Sequence, residues 1–200
     1  MELNQQRESM SRIIHQRVKD LHDIQNAFME KYAQDLIALA EDMVRAFSKG
    51  NKLMIMGNGG SAADAQHMAA EFVNRFKIER SPLPALALTT DTSILTAVGN
   101  DYSFDEVFEK QVLALGVAGD MLIGISTSGN SPNIIRGFKA AREKKIITVA
   151  LTGNKGGKMI EWADRSLVVP SAATPHIQET HILIIHLLCE MVDTLLFPSP

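Results

Sequence analysis

The run Leu53-Met54-Ile55-Met56, closed at once by Gly57-Asn58-Gly59-Gly60-Ser61, limits the fold of this chain more than any other stretch. A short, wholly apolar run suits a strand buried on both faces. The glycines let the backbone turn tightly and approach a ligand closely. Ser61 stands where it can cap the helix that follows, whose free N–H groups then face an anion. One turn apart on that helix are His67 and Glu71, so both side chains project from one face. Strand, glycine turn, helix start and a His/Glu pair form one compact unit.

The same grammar recurs along the chain. Strands are expected at 52–56, 84–88, 121–125, 146–151 and 166–169. Helices are expected at 61–76, 92–98, 104–115, 132–144, 157–163 and 177–196. Apolar strands alternating with amphipathic helices predict an α/β fold, a three-layer doubly wound parallel sheet with helices on both faces. Ligands in such folds bind beyond the carboxyl ends of the strands, where the glycine- and serine-rich turns lie. Before the first strand, residues 1–48 hold neither glycine nor proline, and their apolar spacing predicts two helices, 7–29 and 31–48, ended by Gly50-Asn51. The stretch 1–50 therefore reads as N-terminal helices added to a domain at 51–200. The first helix lies outside the α/β unit, so its apolar stripe needs a neighbouring subunit. His15 and His22 on that helix read as surface or interface residues rather than ligands.

Composition removes several alternatives. Two hundred residues with 46% hydrophobic content suit one well-buried domain. A net charge of −3 without a long basic run does not indicate a nucleic-acid surface. No apolar segment approaches the roughly 20 residues that span a bilayer. The start of the chain, with Glu2, Arg7 and Arg12, lacks the apolar core of a signal peptide, which predicts a cytoplasmic protein. The single cysteine, Cys189, lies in an apolar helical stretch and reads as a buried structural thiol.

The chemistry concentrates in two loops and two helices. Ser126-Thr127-Ser128-Gly129-Asn130-Ser131, before Pro132, offers four hydroxyls, backbone N–H groups and a helix dipole, which together suit a phosphate. A Ser cap with Pro at the first helical position would explain only part of that. The loop is not a Walker loop, and the first loop carries no G-x-G-x-x-G, so a mononucleotide or sugar phosphate fits better than a dinucleotide. His67 and Glu71 suit either a divalent metal or acid–base work, or simply a hydrogen bond on a polar helix face. Gln178, His181 and His186 interrupt the apolar C-terminal helix, which points to a site. Gln178 and His186, however, are roughly 12 Å apart along a regular helix. Either Gln178 lies on a bent entry to the helix, or the residues meet across a subunit boundary.

In these motifs, together with Val98-Gly99-Asn100-Asp101, Leu151-Thr152-Gly153 and Ile177-Gln178-Glu179, the sequence resembles the SIS (sugar isomerase) domain family over nearly its whole length, and within it the phosphoheptose isomerases. The resemblance implies a flavodoxin-like sandwich and an aldose–ketose isomerase that converts sedoheptulose 7-phosphate to D-glycero-D-manno-heptose 7-phosphate, the first step of nucleotide-heptose synthesis for bacterial surface glycans. It implies one zinc ion per subunit on His67, Glu71, Gln178 and His186, with Glu71 and His186 as catalytic groups. Substrate contacts would come from Asn58, Gly59, Gly60, Ser61, Glu71, Asn100, Asp101, Ser126, Thr127, Ser128, Ser131 and Gln178. It further implies a homotetramer with sites between subunits, which would remove the distance difficulty, and neither direct nucleic-acid binding nor membrane association. The alternative is a non-catalytic SIS protein of the DnaA initiator-associating type, which the chain also resembles at Asn74-Arg75-Phe76 and near Leu196-Phe197-Pro198. That type lacks counterparts of Glu71 and His186, whereas this chain has both. A regulator would need a fused DNA-binding unit, and residues 1–50 show no basic helix-turn-helix. One departure from the isomerases is Pro175-His176, where they carry an acidic or small residue followed by Arg; His176 reads as an extra surface histidine or as a replacement for that Arg's contact. Arg75, one turn beyond Glu71, reads as a substrate contact or an intersubunit partner.

Overall fold

Each apolar run becomes a strand. In the computed structural model, which describes residues 2–198, the elements run α1 (Glu2–Ser48), β1 (Leu53–Gly57), α2 (Gly60–Val73), β2 (Ala85–Ala87), α3 (Thr92–Asp101), α4 (Val107–Leu115), β3 (Met121–Ser126), α5 (Pro132–Glu143), β4 (Ile147–Thr152), β5 (Arg165–Val168) and α6 (Thr174–Leu196). Residues 1, 199 and 200 of the two expected segments lie outside the described residues. Short 3₁₀ turns at Phe104–Glu106 and Lys158–Trp162 replace the start of one expected helix and the whole of the 157–163 helix. All strand pairs are parallel, in the order β2-β1-β3-β4-β5. This is the flavodoxin-like order, whose direction reverses between β1 and β3 and so opens a crevice at their carboxyl ends. The turns 57–60 and 126–131 flank that crevice.

Alternating strand residues feed two separate cores. Leu53, Ile55, Ile123, Ile125, Val149 and Leu151 pack against α1, α2 and α6, with Phe28, Phe72 and Leu188 fully buried. Met54, Met56, Leu122 and Ala150 face α4 and α5, with Phe108 and Phe138. A Cβ on Gly124 would lie 2.7 Å from Phe138, so glycine lets α5 settle close to β3. At the amino ends, the buried Asp120 carboxylate accepts from the backbone N–H groups of Lys52 and Val117 and from the Lys52 ammonium. Burial alone would raise its pKa; these donors outweigh burial and hold it below the ordinary carboxylate value.

The N-terminal segment differs from expectation. It is one helix of 47 residues, about 70 Å long, not two. No breaker stands between Met29 and Lys31, and the buried series Phe28, Tyr32, Leu36, Leu39, Ala40, Met43 carries helical spacing straight through the expected break. Its second half belongs to the main core and packs on α6. Residues 3–19 are exposed on all sides, including the stripe Leu3, Met10, Ile13, Ile14 and Val18.

Candidate active site

Gly57 makes the first turn possible: a Cβ there would sit 2.4 Å from the Ser61 carbonyl oxygen. The cap differs from the expected one. Gly59, at φ 57°, occupies the N-cap position without any side-chain bond, and Ser61 is a buried second residue of α2. The turn needs the left-handed conformation at the cap, which glycine adopts freely and serine does not. The start of α2 is consequently left without a side-chain acceptor, and Gln178 of α6 lies directly against it. A Cβ on Gly60 would meet Gln178 Nε2 at 2.5 Å.

The second loop is tied down from within. Ser126 Oγ is 3.0 Å from Ser131 Oγ and accepts from the Gly129 N–H at 3.2 Å, while Ser128 Oγ accepts from the Asn130 N–H. Ser131 occupies the N-cap of α5 but makes no cap bond; its hydroxyl turns toward the loop. Capping therefore does not account for these hydroxyls. Gly129, at φ 65°, rests on the neighbouring 153–157 turn, and the Met159 N–H in the 3₁₀ turn that follows donates to the Gly129 carbonyl at 2.9 Å. Asn133 links the two loops through reciprocal amide bonds with Asn58, at 3.0 and 2.9 Å. Sequence reading missed Asn133; its position directly after Ser131-Pro132 was the available signal.

α2 and α6 lie side by side and run parallel, with Gly60 level with Gln178 and His67 level with His186. His67 Nε2 is 2.9 Å from His186 Nε2 and 3.3 Å from Glu71 Oε1. His67 thus stands between the two expected catalytic groups and joins them side by side where α2 meets α6. Phe76 stacks on the His186 ring, 5.4 Å between centroids, so part of Asn74-Arg75-Phe76 belongs to this site. Asp64, on the same face of α2 as His67, is half-buried, with Oδ2 lacking a partner among the described residues; burial raises its pKa against the lowering pull of His67. Arg75 pairs with Glu79 on the surface.

Two facing imidazole nitrogens and a carboxylate have the donor chemistry of a zinc site. The facing Nε2 atoms need either a shared proton or a cation between them. Among the described residues, however, no three His, Cys, Asp or Glu side chains close around one point. Nor does the entry to α6 bend: the helix starts at Thr174, so Gln178 lies within it, two turns before His186. The bent-entry alternative is thereby removed. Asn100 and Asp101, at the exposed end of α3, bond to each other at 2.8 Å and are not brought to the site by contacts within the chain.

Two histidines of α6 occupy other places. His176 is buried, not on the surface, because the early start of α6 puts it in the first turn; its Nδ1 is 3.1 Å from Glu179 Oε2, and Glu179 pairs with Arg17 of α1. His181 is fully buried, with Nε2 3.2 Å from the Thr152 carbonyl and Nδ1 without a partner among the described residues. Burial pushes its pKa down to about 4, against the raising effect of the Thr152 bond. An unfolded histidine titrates near 6.5, so between these values only the unfolded chain takes up the proton. His181 should therefore contribute stability in full above pH 6.5 and lose it progressively toward pH 4, by up to about 3 kcal/mol. Melting curves at pH 7 and pH 5 test this: His181→Gln, which keeps a donor for Thr152 without titrating, should show the smaller pH-dependent loss. Equal losses in both proteins would contradict it.

A depression of about 550 Å3 lined by Asp42, Arg142, Lys145, Asp164 and Arg165 lies at the opposite, amino end of β4 and β5. Its carboxylates are already engaged, Asp42 by Arg165 and Asp164 by Thr148, so it has no part in the chemistry above. No described helix is long and apolar enough to cross a membrane.

Comparison with known proteins agrees with this architecture. The sequence profile of the SIS domain matches residues 18–153. A phosphoheptose isomerase from Nitratidesulfovibrio vulgaris (strain DSM 19637 / Miyazaki F) is 56% identical over 176 residues, 88% of this chain and 85% of that protein. The structure of phosphoheptose isomerase GmhA from Neisseria gonorrhoeae superposes with a TM-score of 0.87 at 45% identity, covering 92% of this chain and 99% of that one. That of a phosphoheptose isomerase from Francisella tularensis gives 0.89 at 38% identity, covering 93% and 98%. With fold, motifs and relatives in agreement, the chain belongs to the SIS domain family, among its phosphoheptose isomerases.

Proposed function

We infer that this protein isomerises sedoheptulose 7-phosphate to D-glycero-D-manno-heptose 7-phosphate, supplying nucleotide-heptose synthesis for surface glycans. The observation that carries the reading is the His67 bridge, which joins the Glu71 carboxylate and the His186 imidazole side by side between α2 and α6. The hydroxyls of Ser126, Thr127, Ser128 and Ser131 hold the phosphate, with Asn58, Gly59, Gly60, Ser61 and Gln178 along the sugar. Seven residues of α2, about 10 Å, separate Gly60 from His67, so a substrate held by its tail reacts at its head. Glu71 takes a proton from C1 of the ketose and returns it to C2 of the enediol; His186 carries the hydroxyl proton from O1 to O2. A protein that only docks a replication initiator has no physical need for this pair, and the initiator-associating reading is not favoured.

His67, Glu71 and His186, with Gln178, would hold one zinc ion, which when bound supplies charge stabilisation to the sugar oxygens. Gln178 stands two helical turns from His186, and the stripe on the first half of α1 is uncovered. Both features support a homotetramer with sites between subunits, where Asn100 and Asp101 of a neighbour complete each site. The deciding experiment is aldose formation from sedoheptulose 7-phosphate by the purified protein, before and after chelation. Activity should vanish with chelator and return with zinc. Absence of turnover in the presence of zinc would overturn the isomerase reading, and full activity in chelator would overturn the metal.

A further inference from the structure

Arg80, in the loop after α2, is an arginine with almost no exposed side-chain surface, and its buried partner is Asp193 of α6, at 2.8 Å from Nε. The other guanidinium nitrogens donate to backbone carbonyls: Nη2 to Glu71 at 2.8 Å, and Nη1 to Phe72 at 2.7 Å, with longer contacts to Ser81 and Asn74 at 3.2 and 3.4 Å. The Glu71 and Phe72 carbonyls belong to the last turn of α2 and have no partner within the helix. A cation there also complements the helix dipole. Asp193 lies two turns beyond His186 on the same face of α6. One rigid planar fork therefore binds the backbone of Glu71 and the helix that carries His186.

Stability alone does not explain this arrangement. A buried ion pair is often matched or bettered by apolar residues of similar volume, and here Asp193 Oδ2 is buried without a partner among the described residues. What an apolar pair cannot supply is direction: the fork fixes how far α2 can slide or rotate against α6.

We propose that Arg80 and Asp193 are positioning residues that set the register of α2 against α6, and so the geometry of Glu71 and His67 relative to His186. The proposal rests on the isomerase reading for its kinetic consequence but not for its structural one. Two variants separate it from plain packing. Arg80→Lys keeps the charge and loses the fork. The double variant Arg80→Met/Asp193→Leu removes the buried charge and restores apolar packing.

In an assay of the zinc-loaded protein with sedoheptulose 7-phosphate, Arg80→Lys should lower kcat about 10–100-fold while KM stays within about twofold, since the hydroxyl loop rests on other elements. The double variant should melt below wild type, since the Glu71 and Phe72 carbonyls lose their guanidinium donors, and should keep the low kcat. Recovery of kcat in the double variant would overturn the proposal, as would a wild-type kcat in Arg80→Lys. Histidine ¹H–¹⁵N spectra of the metal-free protein provide a readout independent of turnover: the His67 and His186 signals should change in both variants while those of His181 stay. Unchanged His67 and His186 signals would equally overturn it. If the wild-type protein itself fails to turn over the sugar, the isomerase reading falls and the spectra alone decide the register.

Discussion

Glu71→Gln should reduce kcat for aldose formation by about 10³-fold with KM changed only a few-fold, because an amide cannot accept the carbon-bound proton. The substitution keeps size and shape, and Glu71 is only half-buried, so folding is not at stake. Its sole ion-pair contact among the described residues is His67, at 3.3 Å. Two measurements accompany the rate. Deuterium wash-in from heavy water into C1 of the ketose should fall in step with kcat, which localises the loss to proton abstraction. Zinc content should be measured on the same samples, since Glu71 is also a proposed ligand; a variant that keeps its zinc and loses wash-in identifies the base. A kcat within tenfold of wild type would remove Glu71 from that role.

The second large effect falls on a glycine. A methyl group at Gly129 would stand 1.9 Å from the Gly156 carbonyl oxygen and 2.6 Å from its carbon, both backbone atoms that cannot swing aside. The residue also holds φ at 65°, in the left-handed region. Gly129→Ala should therefore cost about 2–5 kcal/mol, from conformational strain and overpacking together. For a domain of this size that lowers the melting temperature by about 5–15 °C. The same displacement pushes the 126–131 loop off the 153–157 turn, so KM for the sugar phosphate should rise about tenfold or more while kcat moves less. Gly99→Ala is the control for stability. Gly99 has open space where the new methyl would go and lies in helix α3, so alanine there should leave stability unchanged or raise it by about 1 kcal/mol. Equal melting temperatures for Gly129→Ala and wild type would show that the two loops are not wedged together as described.

What could be read from residues alone was whatever rests on local period and turn chemistry. The five strands appear within a residue or two of expectation; β1 to β4 are apolar runs ended by glycine, serine or threonine, and the short β5 is closed by Pro170. The hydroxyl loop stands out in the same way. What could not be read depends on distant partners. Nothing in the sequence around Lys77-Ile78-Glu79-Arg80 sets Arg80 apart, and only the folded chain shows it buried against Asp193. His176 looked like a surface residue because nothing nearby in sequence announces Arg17, which reaches Glu179 from α1. The break expected near residue 30 was absent because helix persists wherever no residue opposes it, and neighbouring apolar stripes need not mean separate helices. The Ser61 cap failed for a local reason of a different kind, a backbone angle at Gly59 that composition alone does not disclose.

The uncovered first half of α1 has a consequence for how this protein is measured. Seventeen residues of helix surrounded by water gain little from packing, and a helix in that situation is marginal by itself. If neighbouring chains supply the missing packing, denaturation is a reaction of several molecules, and its midpoint climbs with the amount of protein in the tube by mass action. A melting temperature for this chain then has meaning only beside the concentration at which it was taken, and variants compared at unequal concentrations would differ for reasons unrelated to their substitutions.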